Sequence, residues 1–125
     1  MWIYAQGSGE LSRDDDDTVV SIGYSGSGEG KNNPAMQQIH DVGPIPRGIW
    51  HIGEPEAVDV VGPHGPFVLP LTPAEGTPTF ERLGFLIHGD SLAHVGSASH
   101  GCIILNRHVR EAIAASHDQL LKVVA

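Results

Sequence analysis

Gly84-Phe85-Leu86-Ile87-His88-Gly89-Asp90-Ser91 and, shortly after, Ser97-Ala98-Ser99-His100-Gly101-Cys102-Ile103-Ile104 decide how this 125-residue chain reads. Each stretch joins an apolar run to a loop of small residues, and the runs predict short strands over 85–88 and 102–105. His88 ends one strand and Cys102 begins the other, so neighbouring strands would bring imidazole and thiol within hydrogen-bond reach. A thiol with a pKa of about 8.5 is mostly protonated at neutral pH, and the thiolate is the reactive form. An adjacent imidazole can take that proton and later return one to a leaving amine. Gly101 lets backbone approach a substrate carbonyl, and the N–H groups around Gly101 and Cys102 are candidate donors to the developing oxyanion. Asp90 and Ser91 are candidates for hydrogen bonds within the site, although ordinary turn roles suit them equally. A lone cysteine is also commonly a small buried hydrophobe, and Cys102 precedes an apolar Ile-Ile-Leu run. The Ser-His-Gly before it and the Ile-His-Gly upstream favour the nucleophile.

Working outward, Trp2 to Ala5 alternates as an opening strand, and Thr18 to Ile22 reads as its partner across an acidic turn at Ser12–Asp17. Ile49 to Ile52 sits between Gly48 and Gly53 as another strand. Ala57 to Val61, Phe67 to Leu71 and Leu120 to Val124 complete the strand set, with Pro70 placing the Phe67 strand at an edge or a bulge. Asn106 is a good N-cap for a helix reaching about Ser116, and Val109 and Ile113, spaced i,i+4, would face the core. Length and pattern fit one domain over residues 1–125. It is a mainly β, sandwich-like domain of six to eight short strands, with one short helix after the Cys102 strand.

Hydrophobic residues make up 40% of the chain, which is globular composition rather than disorder. Net charge is −8 with only 7 Lys plus Arg. Such a chain has no basic stripe for phosphate backbones, so nucleic acid and anionic membrane surfaces are excluded as partners. No apolar run approaches the roughly 20 residues of a membrane span, so no membrane insertion is expected. The start, Met1-Trp2-Ile3-Tyr4-Ala5, lacks the pattern of a signal peptide, so another route out of the cytoplasm is expected if the protein works outside it. One cysteine means no internal disulfide.

Competing motifs fail on their spacing. Gly30-Lys31 does not continue to the Ser or Thr of a phosphate loop, and Ser25 stands where its first Gly is required. Among 8 histidines, His88, His94, His100 and His108 invite zinc, but no HExxH or similar signature is present, so neither metal nor cofactor is expected. His40-Asp41, His51, His64 and His117 read as surface or structural residues. Arg110, eight positions beyond Cys102, fits a sortase only without the expected run before the cysteine. Arg47, Arg82 and Arg107 are each chemically able to grip a peptide carboxylate.

Ser99-His100-Gly101-Cys102 with His88-Gly89 resembles the active-site signature of the L,D-transpeptidases, the YkuD-like cysteine enzymes of peptidoglycan. Tyr24-Ser25-Gly26, Asn32 to Met36, Val42 to Gly48, Phe85 to Ser91 and Gly101 to Leu105 extend the resemblance to one branch, the L,D-transpeptidase-like toxins delivered by type VI secretion. The resemblance implies Cys102 as nucleophile, His88 as base and the Gly89 carbonyl as the group that orients the imidazole. Ser99, His100 and Gly101 would line the site. Peptidoglycan stem peptides would be the substrate, cut or exchanged at the bond between diaminopimelate and D-alanine. It further implies synthesis in the cytoplasm, export by a secretion apparatus, action in a rival's periplasm and a cognate immunity protein. His88 and Cys102 lie 14 positions apart, closer than in the housekeeping enzymes, and Ile104 stands where those often carry Arg or Asn. The shorter loop implies a more open site, suited to trimming or exchange rather than cross-linking. Two further functions stay open on the residues: a catalytically silent module that binds wall peptides or a partner, and a metal-dependent hydrolase.

Overall fold

The structure, a computed structural model, describes residues 1–56, 67–91 and 93–125. Nine strands lie in this part: β1 (Trp2–Ala5), β2 (Glu10–Arg13), β3 (Asp16–Ile22), β4 (Tyr24–Ser25), β5 (Gly48–Ile52), β6 (Leu69–Pro73), β7 (Leu86–His88), β8 (Ile103–Ile104) and β9 (Leu120–Val124). One α-helix, α1 (Arg107–Ala115), follows β8. The mainly β class and the helix after the Cys102 strand are as expected; the strand count is higher. The strand expected over Ala57–Val61 and the reading of His64 lie outside the described residues.

The strands form one continuous order, β3-β2-β1-β9-β5-β6-β7-β8-β4. Strand β6 carries that order round a corner. Its Leu71 pairs with Ile52 of β5, whereas Leu69 and Pro70 pair with Ile87 and Leu86 of β7. Pro70 therefore marks a switch of partners in an interior strand, not an edge, because a proline without an N–H fits where ladder bonding changes hands. The two ends of the order, β3 and β4, are separated in the chain only by Gly23, which brings the sheet close to closure.

The expectation that β3 pairs with β1 is corrected. The antiparallel partner of β1 is β2, with Trp2 opposite Arg13 and Tyr4 opposite Leu11, and β3 lies one strand further out. Sequence alternation missed β2 because only Leu11 of Glu-Leu-Ser-Arg is apolar and buried. The acidic turn shrinks accordingly, with Arg13 and Asp16 already paired across it.

Burial follows the period of two along the longer strands: Trp2 and Tyr4 in β1, Trp50 and Ile52 in β5, Leu121 and Val123 in β9. Trp50 meets Phe85 edge to face, ring centroids 5.0 Å apart. Helix α1 closes the core with Val109 and Ile113. Asn106 caps it as expected, its side chain accepting the Val109 N–H at 3.0 Å. No helix among the described residues is long and apolar enough to cross a membrane.

Candidate active site

Strands β7 and β8 run parallel and side by side, Ile87 opposite Ile103 and His88 opposite Ile104. Cys102 stands just before β8, diagonally across from His88, and both residues line one cleft of about 220 Å³. His100 and Gly101 share its floor, Arg82 to Phe85 form one wall, and His40 and Asp41 contribute another. β-branched Ile87 and Ile103 sit side by side in two short buried strands, and because the strands are parallel the chain crosses from the end of β7 back to the end where β7 began before entering β8.

His88 is buried, and its Nδ1 lies 2.8 Å from the Gly89 carbonyl. A carbonyl only accepts, so this bond requires the proton on Nδ1 and makes Nε2 the basic nitrogen of the neutral ring. Gly89 is suited to the position sterically, since a Cβ there would meet Arg110 Nη2 at 2.8 Å. Arg110, the residue a sortase would use, is itself buried and donates to the Phe67 carbonyl at 2.8 Å.

Cys102 is half-buried, a free thiol whose sulfur faces the Gly84 carbonyl at 3.6 Å. Burial pushes the thiol above its ordinary range, while the Leu86 N–H and the Arg82 charge pull it down. The resting thiol is therefore protonated at neutral pH and needs a base to react.

The other expected site residues divide into two groups. His100 and Gly101 face the cleft; Ser99, Asp90 and Ser91 do not line it and hold the loops that shape it. Ser99 is fully buried. Its hydroxyl donates to the Cys102 carbonyl at 2.6 Å and accepts the N–H groups of Gly26 at 2.9 Å and Gly101 at 3.1 Å. The Gly101 amide, a candidate oxyanion donor, is thus engaged within its own turn. Asp90 accepts from the Tyr24 hydroxyl at 2.5 Å and from the amides of Ser91 and Gly96. Ser91 Oγ in turn accepts the His94 N–H at 3.0 Å.

His40 and Asp41, read from sequence as surface or structural, belong to the cleft wall. Asp41 adopts φ 61, a left-handed conformation that non-glycine residues seldom take and that clusters at functional sites. Of the three arginines weighed as carboxylate grips, Arg47 donates to Gln6 and Arg107 lies near Glu111, both away from the cleft. Arg82 lines it. Ser25 supports the whole floor, its hydroxyl donating to the Gly101 carbonyl and accepting the Ile45 N–H. Among the described residues, no group of three or more His, Cys, Asp or Glu is placed to hold a metal ion.

The family model of the Tlde1 domain matches residues 20–125. The chain belongs to the Tlde1 family. That membership bears out the resemblance to the type VI effectors of the L,D-transpeptidase-like class, and the Tlde1 match takes in every residue that lines the cleft. Only β1, β2 and most of β3 precede it. Among solved structures, the chain is similar to L,D-transpeptidase 1 of Mycobacterium tuberculosis, with a TM-score of 0.46 and 15% identity over 99% of this chain. It spans 60% of that enzyme's length. No curated protein matches the chain.

Proposed function

We propose that this Tlde1-family chain is a peptidoglycan-modifying cysteine enzyme that trims or exchanges the terminal D-alanine of tetrapeptide stems. Residues 1–125 act in this reading as one catalytic unit. The observation that carries it is the pairing of His88, its Nδ1 proton committed to the Gly89 carbonyl, with Cys102 in the same cleft. His88 Nε2 takes the Cys102 proton, and the thiolate adds to the carbonyl between diaminopimelate and D-alanine. With the Gly101 N–H engaged by Ser99, the Cys102 N–H just before β8 is the candidate donor to the developing oxyanion. Collapse of the adduct breaks the peptide bond, and the imidazolium protonates the departing D-alanine amine. The thioester then passes its acyl group to water, giving a tripeptide, or to the amine of another D-amino acid, giving exchange. As written, the reaction needs neither metal nor cofactor. His100 and Gly101 face the substrate, while Ser99, Asp90 and Ser91 shape the floor from behind.

The protein is made in the cytoplasm, leaves by a secretion apparatus and acts as an antibacterial toxin in the periplasm of a target cell. An immunity protein there is its expected partner. A second reading, a silent module that only binds wall peptides, draws on the burial that pushes the Cys102 thiol upward.

Mass spectrometry of muropeptides separates the two. Tetrapeptide-rich peptidoglycan is incubated with wild type, Cys102→Ala or His88→Ala, with and without an added D-amino acid. Tripeptides or exchanged stems from wild type alone, with a loss of at least about a hundredfold in His88→Ala, are expected for a positioned acid–base. Unchanged muropeptides with every protein would sink the enzymatic reading and leave the binding module.

A further inference from the structure

Arg82 stands in the wall of the cleft, yet it is only 5% exposed. A guanidinium that loses its water needs replacement hydrogen bonds. Backbone carbonyls supply them. Nη1 donates to Gln37 at 2.6 Å and Pro44 at 2.8 Å, and Nη2 to Gly43 at 2.8 Å and His100 at 3.3 Å. The four η hydrogens of the fork are thus met by four carbonyls. Carbonyl dipoles solvate the cation without neutralising it, as a bonded carboxylate would. The Phe85 ring lies 5.1 Å away and offers a further favourable face. The same group presses on the turn before the thiol: a Cβ at Gly101 would stand 2.5 Å from Nη2.

We propose that Arg82 is a positioning residue for the nucleophile, tying the Gly101 turn to the Gln37–Pro44 wall and holding beside Cys102 a positive charge, hydrogen-bonded to carbonyls rather than to a carboxylate, that favours its thiolate. The proposal rests on the reading of Cys102 as nucleophile. With its fork committed to the backbone, Arg82 acts through its charge rather than as a bidentate grip on a substrate carboxylate. The other titratable groups facing the thiol are His88 from β7, His100 from its own turn, and His40 and Asp41 from the opposite wall. Burial disfavours the Arg82 charge and Asp41 supports it, and Arg82 is the one Lys or Arg among the described residues that line the cleft.

The test is the pH profile of Cys102 alkylation by iodoacetamide, carried from about pH 6 up to about pH 11.5, because burial raises the thiol above its ordinary range. The chain has one cysteine, so the signal comes from Cys102 alone. Wild type is compared with Arg82→Gln and Arg82→Met, both neutral, and with Arg82→Lys, which keeps the charge but loses the fork; thermal melts select the variants folded at assay temperature. The midpoint is expected to rise by about one pH unit in a neutral variant, as for loss of an opposite charge nearby, and to stay near wild type in Arg82→Lys. A purely structural role would move Lys and neutral variants alike. Equal shifts in both, or an unmoved midpoint in a folded neutral variant, would overturn the proposal. Alkylation does not depend on peptidoglycan, so trimmed muropeptides with an unmoved midpoint defeat this inference alone, whereas unchanged muropeptides defeat the enzymatic reading.

Discussion

The Ser99 hydroxyl shows how much of the cleft floor hangs on one atom. It satisfies two buried amides and one carbonyl, all in the segments that aim Cys102. Ser99→Ala removes that partner and leaves those groups buried, a change expected to cost about 1–3 kcal/mol in chemical denaturation. Thiol reactivity should fall with it, because Gly101 and Cys102 lose a shared anchor. Gly101 carries a different constraint. Its φ of 137 is a glycine conformation, and a Cβ there would also press on the Arg82 guanidinium. Gly101→Ala is therefore expected to lower stability by about 1–3 kcal/mol and to slow Cys102 alkylation, both measurable on one preparation. Sequence alone marked both positions as lining residues. The glycine does face the cleft, but nothing in a Ser-x-Gly-Cys run tells which way a turn's serine points, and here it points inward.

The Asp90 carboxylate holds Ser91 and Gly96, and the Tyr24 phenol bonds both Asp90 and the Ala98 amide. Burial alone would push the Asp90 carboxyl up, but the bond from Tyr24, the Gly96 and Ser91 amides and nearby Lys31 hold it below the usual carboxylate range. Burial and Asp90 push the Tyr24 phenol up to about 12, so it stays a donor at any ordinary pH. A depressed folded pKa stabilises above the unfolded value and loses that contribution as pH falls through the folded one. Wild type should therefore melt higher than Asp90→Asn at neutral pH, and the gap should close below about pH 4. A gap constant with pH would show that Asp90 contributes by shape alone. At this scale, elements with their own signals were legible: α1 from its Asn106 cap, β1 from alternation and β5 from its flanking glycines. Strands β2 and β4 were not: β2 has one apolar residue in four and forms by pairing with its neighbours β1 and β3, and the two residues of β4 become a strand only through distant β8. The same division runs through the site. His88, Gly89 and Cys102 are readable from two local motifs, whereas Arg82, His40 and Asp41 reach the cleft on loops whose approach is set by long-range contacts.

Over the whole molecule, compartment becomes a test of substrate rather than of folding. A chain with one cysteine has no internal disulfide to form, so an oxidising compartment adds no covalent bond to its fold. A net charge of −8 repels nucleic acid and anionic lipid surfaces, which removes two abundant cytoplasmic targets for a chance interaction. What differs between compartments is access to mature stem peptides, present in the periplasm and absent from the cytoplasm. Expression in a susceptible bacterium is therefore expected to arrest growth only when the protein is directed to the periplasm, with Cys102→Ala harmless in both places. Growth curves and muropeptide profiles from the same cultures check this. Equal toxicity in the cytoplasm would mean that the target is not the mature wall, whatever the thiol can do; arrest by exported Cys102→Ala would mean that binding, not acyl transfer, does the damage.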